Sequence, residues 1–291
     1  MDELMVTGWE MLPETAKALS APVVKLFEVL AAGCGTVYSP TNIRRTAAAQ
    51  GDALVIMEEA RGRASEVALR AAKRLMDVEA RRQINLEAIT QLAIEQLPAE
   101  VSDTSVEPDW TARFLREAQD IGNEQMQLLW AKLLAGEVAK PGAFSIRSID
   151  IVANMGPAEA VQFQHLCSLI VKVQENIATF ISAKMLGEGY VPSLEVMHEL
   201  QSSGLINFEP MGMHLTLTTN AATGLNIRVG LPDGVTLTAL HPSSSTVLPT
   251  GVVNLTSAGA ELFRIAEWKS VVGYEQMVRD SLTGAGFLIE P

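Results

Sequence analysis

The sequence predicts a mostly helical α+β protein: a long N-terminal helical segment, a central helical bundle and a C-terminal winged-helix-like α+β module. Three observations support this order. Good helix formers dominate residues 41–98, apolar residues recur at helical spacing through 109–186, and short alternating runs separated by Gly and Pro occupy 187–291. With an apolar stretch at 1–40 and a proline-flanked linker at 98–108, the chain divides into four segments.

Composition indicates a folded, acidic protein. Hydrophobic residues make up 48% of the 291 residues, charged residues 19%, and the formal net charge is −12. Such a surface repels phosphates at long range, so nucleic acid is not an expected partner. Cys34 and Cys167 lie far apart, and no pair of histidines has metal-ligand spacing. We therefore expect no metal, no cofactor and no disulfide framework, and a reducing, cytoplasmic setting, because the start also lacks the basic region of a signal peptide.

The first segment, 1–40, is predicted to be an apolar helical anchor or hairpin that ends at Ser39-Pro40. Its most apolar part is 20–38, which Lys25 and Glu28 interrupt, so this run is too short and too charged to span a membrane. We expect it to pack against protein. Contact with a membrane surface is the alternative.

The second segment, 41–98, is predicted to form one long helix or two in series. Seven residues recur at steps of three and four along one narrow stripe, here named the alanine-rich seam: Met57, Ala60, Ala64, Val67, Ala71, Leu75 and Val78. A fully helical segment would be roughly 85 Å long, more than a domain of this size can cover. We therefore expect a second copy of the chain to cover the seam, and the protein to be a homo-oligomer.

Basic residues outnumber acidic ones between Ile43 and Arg82, although the chain as a whole is acidic. A solvated helix face with pairs such as Glu66 and Arg70 explains this pattern. An electrostatic docking surface for the acidic part of a neighbouring subunit is the alternative. Nucleic-acid binding is the weakest interpretation, because no aromatic residue lies between the arginines to stack on bases.

The third segment, 109–186, is predicted to be all helical. We expect side-chain caps at Asp109, Asn123 and Ser145 and a proline start at Pro157. The helix that begins at Pro157 carries apolar residues at helical spacing as far as Phe180. Together these helices are expected to form a compact bundle.

Glu137 is the one acidic residue in this segment that asks for a specific explanation. It follows Gly136 near the end of an apolar helix, where a carboxylate opposes the helix dipole, so we expect it to have a partner. Arg147 is the predicted partner, in a structural pair. A catalytic glutamate is the alternative, although no second catalytic group is evident: His165 and Cys167, two positions apart on a helix, point to different sides.

The fourth segment, 187–291, combines helices with strands. A helix is predicted from Ser193 to Gln201, and a second is predicted to be capped by Thr256. Short antiparallel strands are predicted between them, at His214–Thr218, Leu225–Val229 and Val235–Leu240. The order is similar to the end of a winged-helix domain with extra strands. The helix at the DNA-reading position contains Glu195, His198 and Glu199 and no Lys or Arg, which favours a protein-packing role.

The central segment also carries the most specific sequence motif of the chain. Its members are Asp109, Trp110, Trp130, Gly136, Glu137, Pro141, Gly142, Ser145 and Arg147. With Phe163, Leu166-Cys167 and the later run Leu255-Thr256-Ala258-Gly259-Leu262, this region resembles an uncharacterised bacterial family known as domain of unknown function 2806. The resemblance implies a bacterial or phage-associated intracellular protein and suggests a defence or mobile-element context. It supplies no catalytic residue.

These observations lead to three hypotheses from different classes. The leading one is a non-enzymatic, self-associating scaffold or regulatory protein that acts through protein–protein contacts. The second is a winged-helix DNA-binding regulator that uses the C-terminal module and the arginine-rich helix. The third is an enzyme, such as a hydrolase or nuclease, whose site is assembled from residues distant in sequence.

Overall fold

The computed structural model divides into two compact units, 1–149 and 150–291. It describes residues 20–33, 66–174, 176–182, 185–186, 189, 191–269 and 271–290. Three members of the predicted seam lie outside the described residues: Met57, Ala60 and Ala64. The predicted division into four segments remains a prediction.

The first unit is built from helices. They are α1 (Ala21–Gly33), α2 (Glu66–Gln96), α3 (Pro108–Ala118) and α4 (Glu124–Ala139). Helix α1 packs against α3 and α4, and α2 packs chiefly against α4. The core between them contains side chains that are fully or almost fully buried: Leu26, Ile89, Phe114, Trp130 and Leu133. A further helix, α5 (Ile146–Asn154), contains the boundary between the two units.

The apolar face of helix α1 packs against other helices of the first unit. Leu26, Val29 and Leu30 are buried, and the Lys25 ammonium donates a hydrogen bond to the carbonyl of Thr104 at 2.6 Å. No helix among the described residues is long and apolar enough to cross a membrane.

The helix starts show which caps the sequence predicted correctly. The Asn123 side chain accepts a hydrogen bond from the Met126 amide at 3.1 Å, and the Ser145 hydroxyl accepts one from the Ser148 amide at 3.3 Å, so both predicted caps are confirmed. The predicted cap at Asp109 is wrong. Helix α3 begins one residue earlier, at Pro108, because proline is well suited to the first turn, and Asp109 lies inside that turn.

The second unit begins with α6 (Pro157–Cys167), which starts at the predicted proline. The prediction that this helix continues to Phe180 is wrong. Residues beyond Cys167 form an antiparallel hairpin of β1 (Ile170–Val173) and β2 (Asn176–Thr179), with Gln174 at a positive φ of 55° in the turn. Branched side chains at most of these positions favour strands. The helix was predicted because apolar runs this short fit the spacing of a helix and of a strand equally well.

The remaining elements complete a mixed unit. They are α7 (Leu194–Ser202), β3 (Ile206–Thr218), β4 (Leu225–Gly230), β5 (Thr236–His241), β6 (Ser245–Leu255), α8 (Ser257–Phe263), α9 (Tyr274–Gly284) and β7 (Leu288–Ile289). One antiparallel sheet has the order β2-β1-β4-β5-β7, and β3 pairs with β6 in a second. The α+β class and the three predicted strands are confirmed, and β6 and β7 are additions. The winged-helix-like arrangement remains a prediction.

Side-chain caps mark the starts of two helices in the second unit. The Ser193 hydroxyl accepts a hydrogen bond from the Val196 amide at the start of α7. The Thr256 hydroxyl accepts the Gly259 amide at the start of α8, as predicted, and donates to the carbonyl of Gly204 at 2.6 Å. A side chain on Gly259 would come within 2.0 Å of the Leu205 carbonyl oxygen, so only glycine allows α8 to approach this closely.

Candidate assembly surface on helix α2

Helix α2 carries one continuous stripe that is buried in its second half and exposed in its first. Asn85, Ile89 and Ala93 are buried against α3 and α4. Steps of three and four residues lead from these positions back through Arg82 to Val78, Leu75, Ala71 and Val67, so all of them share one face of the helix. The described part of the alanine-rich seam is therefore the upstream continuation of a packing face.

The exposed half of the seam consists of Val67, Ala71, Leu75 and Val78. Val67 is 63% exposed and Leu75 is 62% exposed, whereas Ile89 further along the same stripe is 1% exposed. Val78 is half-buried. Residues 66–84 of α2 therefore extend, over about 28 Å, beyond the part of the helix that α3 and α4 cover.

A polar cluster marks the point where α2 leaves the body of the first unit. The Arg82 guanidinium donates to both carboxylate oxygens of Asp120, at 2.9 and 3.0 Å, and to Glu79 at 2.9 Å. These hydrogen bonds lower the pKa of Asp120 below its ordinary value of 3.8 and raise that of Arg82. The bidentate geometry fixes the direction of the helix where its apolar cover ends.

One turn further on, Asn85 ties α2 to the loop between α3 and α4. Its amide donates to the carbonyl of Gln119 at 2.9 Å, and Gln127 donates to the carbonyl of Ile121 at 2.9 Å beside it. Both side chains are buried, and each has a hydrogen-bond partner that its burial requires. The junction between the covered and uncovered halves is thus firmly held.

The exposed half of α2 is basic although the chain is acidic. Positions 66–84 contain five basic and three acidic residues. The basic ones are Arg70, Lys73, Arg74, Arg81 and Arg82, and the acidic ones are Glu66, Asp77 and Glu79. Glu66 and Arg70 form the predicted intrahelical pair at 3.3 Å. Its side chains are 90% and 68% exposed, so it contributes little stability.

The opposite face of the same half carries further exposed apolar side chains. Leu69 is 42% exposed and Met76 is 66% exposed, and both lie about half a turn away from the seam. Ile84, at 65%, is exposed near the junction. These three residues lie outside the seven-residue seam that the sequence indicated, so the helical periodicity did not point to them.

The two tryptophans of the central motif lie in the core of the first unit. Trp110 stacks on Phe114 with ring centroids 5.3 Å apart, and Phe114 meets Trp130 edge-on at 5.2 Å. All three rings are at most 3% exposed. Such a cluster contributes large apolar burial and fixes how α3 packs on α4.

Glu137 closes the turn after α4. Its two carboxylate oxygens accept hydrogen bonds from the backbone amides of Gly142, at 2.6 Å, and Phe144, at 2.9 Å, and the residue is only 2% exposed. Gly142 adopts a positive φ of 81°, which the turn requires, and Pro141 precedes it. The partner that the sequence led us to expect is therefore present as backbone donors. Arg147 is exposed, and its pairing with Glu137 remains a prediction.

Gly136 explains why the motif needs a small residue before this glutamate. A Cβ atom at Gly136 would lie 2.7 Å from the Phe144 ring, so the ring packs directly on the helix backbone. Ser145 then caps α5, as described above. The motif residues thus link α3 and α4 to the turn that leads into α5.

Among the described residues, no group of three or more His, Cys, Asp or Glu side chains could hold a metal ion. Cys167 is a free thiol with no exposed surface, and burial raises its pKa. That raised pKa keeps the thiol protonated, as expected for a cysteine that packs as a small hydrophobe.

Comparison with known proteins places this arrangement in a family. The family model named 'Protein of unknown function (DUF2806)' matches residues 69–279. This range includes α2 from its first turn and most of the second unit. The chain belongs to the DUF2806 family. No curated protein and no solved structure matches it significantly. The DUF2806 match covers the exposed seam residues Ala71, Leu75 and Val78 as well as the whole central motif.

Proposed function

We propose that this protein is a self-associating scaffold or regulatory protein, in which the exposed half of the α2 seam binds the same surface of a second copy. The observation that carries this proposal is the continuity of the stripe. One face of α2 is a buried packing surface at Ile89 and Ala93 and an exposed apolar surface at Val67 and Leu75. Apolar stripes of this kind on long helices are typical of helix–helix association.

Charge bears on how a second copy would bind. The exposed half of α2 carries a net positive charge from its Arg and Lys residues, whereas the chain as a whole has a formal net charge of −12. Two α2 seams therefore carry charge of the same sign, and the electrostatic complement of each is the acidic remainder of the other copy. Alanine at position 71 also allows two helix backbones to approach closely.

The magnitude of apolar burial predicts weak association through the described residues alone. Full burial of a Val or Leu side chain contributes about 1.5–3 kcal/mol. Val67 is 63% exposed, Leu75 is 62% exposed and Val78 is half-buried, so burying the exposed part of all three in two copies would give roughly 5–10 kcal/mol, against an association cost of about 4–15 kcal/mol. The described residues alone therefore do not give tight association. Micromolar association also needs the predicted seam residues Met57, Ala60 and Ala64 to be buried in both copies.

A matched pair of double variants tests which face is used. Val67→Glu with Leu75→Glu places two carboxylates on the seam and should reduce the sedimentation coefficient to that of a 31.3 kDa monomer. Leu69→Glu with Met76→Glu makes the same change of charge on the opposite face and should leave the oligomer intact. Equal dissociation by both pairs, or by neither, would contradict the assignment of the seam.

The DNA-binding hypothesis makes a different prediction. Helix α7, at the DNA-reading position, has Glu195 in its first turn and no Lys or Arg, so it offers no phosphate contact of its own. Retention of duplex DNA in a gel shift, lost as the salt concentration rises, would favour this alternative over the scaffold.

A further inference from the structure

The outer face of the five-stranded sheet carries an open polar depression in the second unit. Its volume is about 620 Å³, and strands β1, β4 and β5 form its floor. Six of the described residues line it: Lys172, Gln174, Asn226, Arg228, Gly230 and Thr236. Every side chain among these six can donate a hydrogen bond, and none of them is a carboxylate.

The two cations of this depression are diagonal neighbours on adjacent strands. Lys172 pairs with Gly230 across the β1–β4 ladder, and Arg228 lies two residues from Gly230 on the same strand and face. Positions so related are about 7–8 Å apart, which allows both long side chains to reach one point. Arg228 also accepts a backbone hydrogen bond from the Gln174 amide, which fixes the end of β1 beside it.

Arg279, in the same unit, forms an ion pair with Glu275 at 2.8 Å, and among the described residues these two cations have no comparable partner. Within the described part of the chain, neither the Lys172 ammonium nor the Arg228 guanidinium has an ion-pair or side-chain hydrogen-bond partner. Two like charges on one sheet face repel each other, and an anion placed between them removes that repulsion.

Gly230 leaves the space that such an anion would occupy. A Cβ atom at this position would meet only the Lys172 Cβ, at 4.0 Å. The residue directly opposite Lys172 thus leaves room at the floor of the depression, and Thr236 closes the far side on β5.

We propose that this depression binds a small phosphate-bearing molecule, with Lys172 and Arg228 on the phosphate oxygens. Guanidinium and ammonium groups are strong ligands of phosphate, and the carboxamides of Gln174 and Asn226 offer neutral hydrogen bonds for the rest of the molecule. The volume lies in the range of small-ligand sites, about 300–1,000 Å³. A nucleic-acid polymer fits less well, because its affinity depends on many phosphate contacts and the chain carries a net charge of −12.

Calorimetric titration at low salt with two probes, inorganic pyrophosphate and adenosine monophosphate, tests the proposal. We expect at least one probe to bind with one site per chain, and the two probes separate a bare phosphate ligand from a nucleotide. Lys172→Gln with Arg228→Gln should weaken binding at least about tenfold. Lys269→Gln, at an exposed cation of the same unit outside the depression, should leave it unchanged.

Gly230→Leu provides a second test that does not alter the charge. It fills the floor of the depression and should weaken binding at least about fivefold, which general electrostatic attraction would not explain. If that variant does not fold, as judged by circular dichroism, the double Gln variant at two exposed positions still decides the question. Absence of binding up to about 10 mM of either probe, binding unchanged in the double Gln variant, or binding of single-stranded oligonucleotides alone would overturn the proposal.

Discussion

Replacing Glu137 by Ala tests whether the central motif is held together by this buried carboxylate. The substitution removes both acceptors of the Gly142 and Phe144 amides and leaves those two N–H groups without their partner in the turn after α4. Phe144 is 3% exposed, so water has little access to its amide. The turn that follows α4 should lose its main polar anchor.

The magnitude follows from the two hydrogen bonds. A hydrogen bond to a charged group contributes about 1.5–3 kcal/mol, so Glu137→Ala should lower the free energy of unfolding of the first unit by about 3–6 kcal/mol. Glu137→Gln keeps one acceptor oxygen and turns an NH₂ group toward the other amide. We expect that variant to lose about half as much, roughly 1.5–3 kcal/mol.

Urea denaturation followed by tryptophan fluorescence measures this effect. Trp110 and Trp130 report on the first unit when Trp9 and Trp268 are replaced by Phe in every protein compared. The control is Glu100→Ala, at an exposed acidic residue, which should change stability by less than about 0.5 kcal/mol. A loss below about 1 kcal/mol for Glu137→Ala would refute the structural role assigned to this carboxylate.

Three further predictions concern other parts of the chain. Gly259→Ala should destabilise the second unit by about 3 kcal/mol or prevent its folding, because the new methyl group would meet a backbone carbonyl at 2.0 Å. The control is Gly284→Ala, in open space on α9, which should be neutral or stabilising by up to about 1 kcal/mol. Thermal melts of the two variants measure both changes in stability. Cys167 should resist iodoacetamide in the native protein and react after unfolding, as peptide mass spectrometry would show, since its thiol is buried and its pKa is raised. Arg82→Gln should return the pKa of Asp120 toward 3.8, as NMR titration would show. In the native protein, the stabilisation that this pair contributes is present above pH 3.8 and is lost as the pH falls through the lowered pKa of Asp120. An unchanged pKa of Asp120 in the variant would contradict the pairing.

Features that depend on neighbouring residues were predictable from the sequence. The caps at Asn123, Ser145 and Thr256 each place a side-chain oxygen three residues before the amide that it accepts, so a short polar residue before an apolar run was sufficient evidence. The cap predicted at Asp109 was wrong because Pro108, immediately before it, also favours a first turn and begins the helix.

The hairpin of β1 and β2 was missed for a different reason. Its strands contain four residues each, and an apolar run of that length fits both a helix and a buried strand. The local signal for strands came from the branched residues, which are Ile170, Val171 and Val173 on β1 and Ile177 and Thr179 on β2. What decides the structure is the pairing of β1 with β4, more than fifty residues later in the chain, which no local pattern contains.

The candidate sites illustrate the same division. The periodicity of the seam was visible in the sequence, but where its cover ends depends on the packing of α2 against α3 and α4 and on the Arg82–Asp120 contact. The partners of Glu137 are backbone amides, and because every residue type except proline has one, the sequence does not indicate which residues donate. Lys172 and Arg228 lie on neighbouring strands only because β1 pairs with β4, so no sequence motif indicates the proposed anion site.

The central claim is that copies of this chain associate through the α2 seam, and light scattering coupled to size-exclusion chromatography tests it most directly. The account predicts that the weight-average mass of the full chain rises with concentration above 31.3 kDa across about 1–100 µM, toward a whole-number multiple of that mass. A mass that stays at 31.3 kDa over the whole range would contradict it.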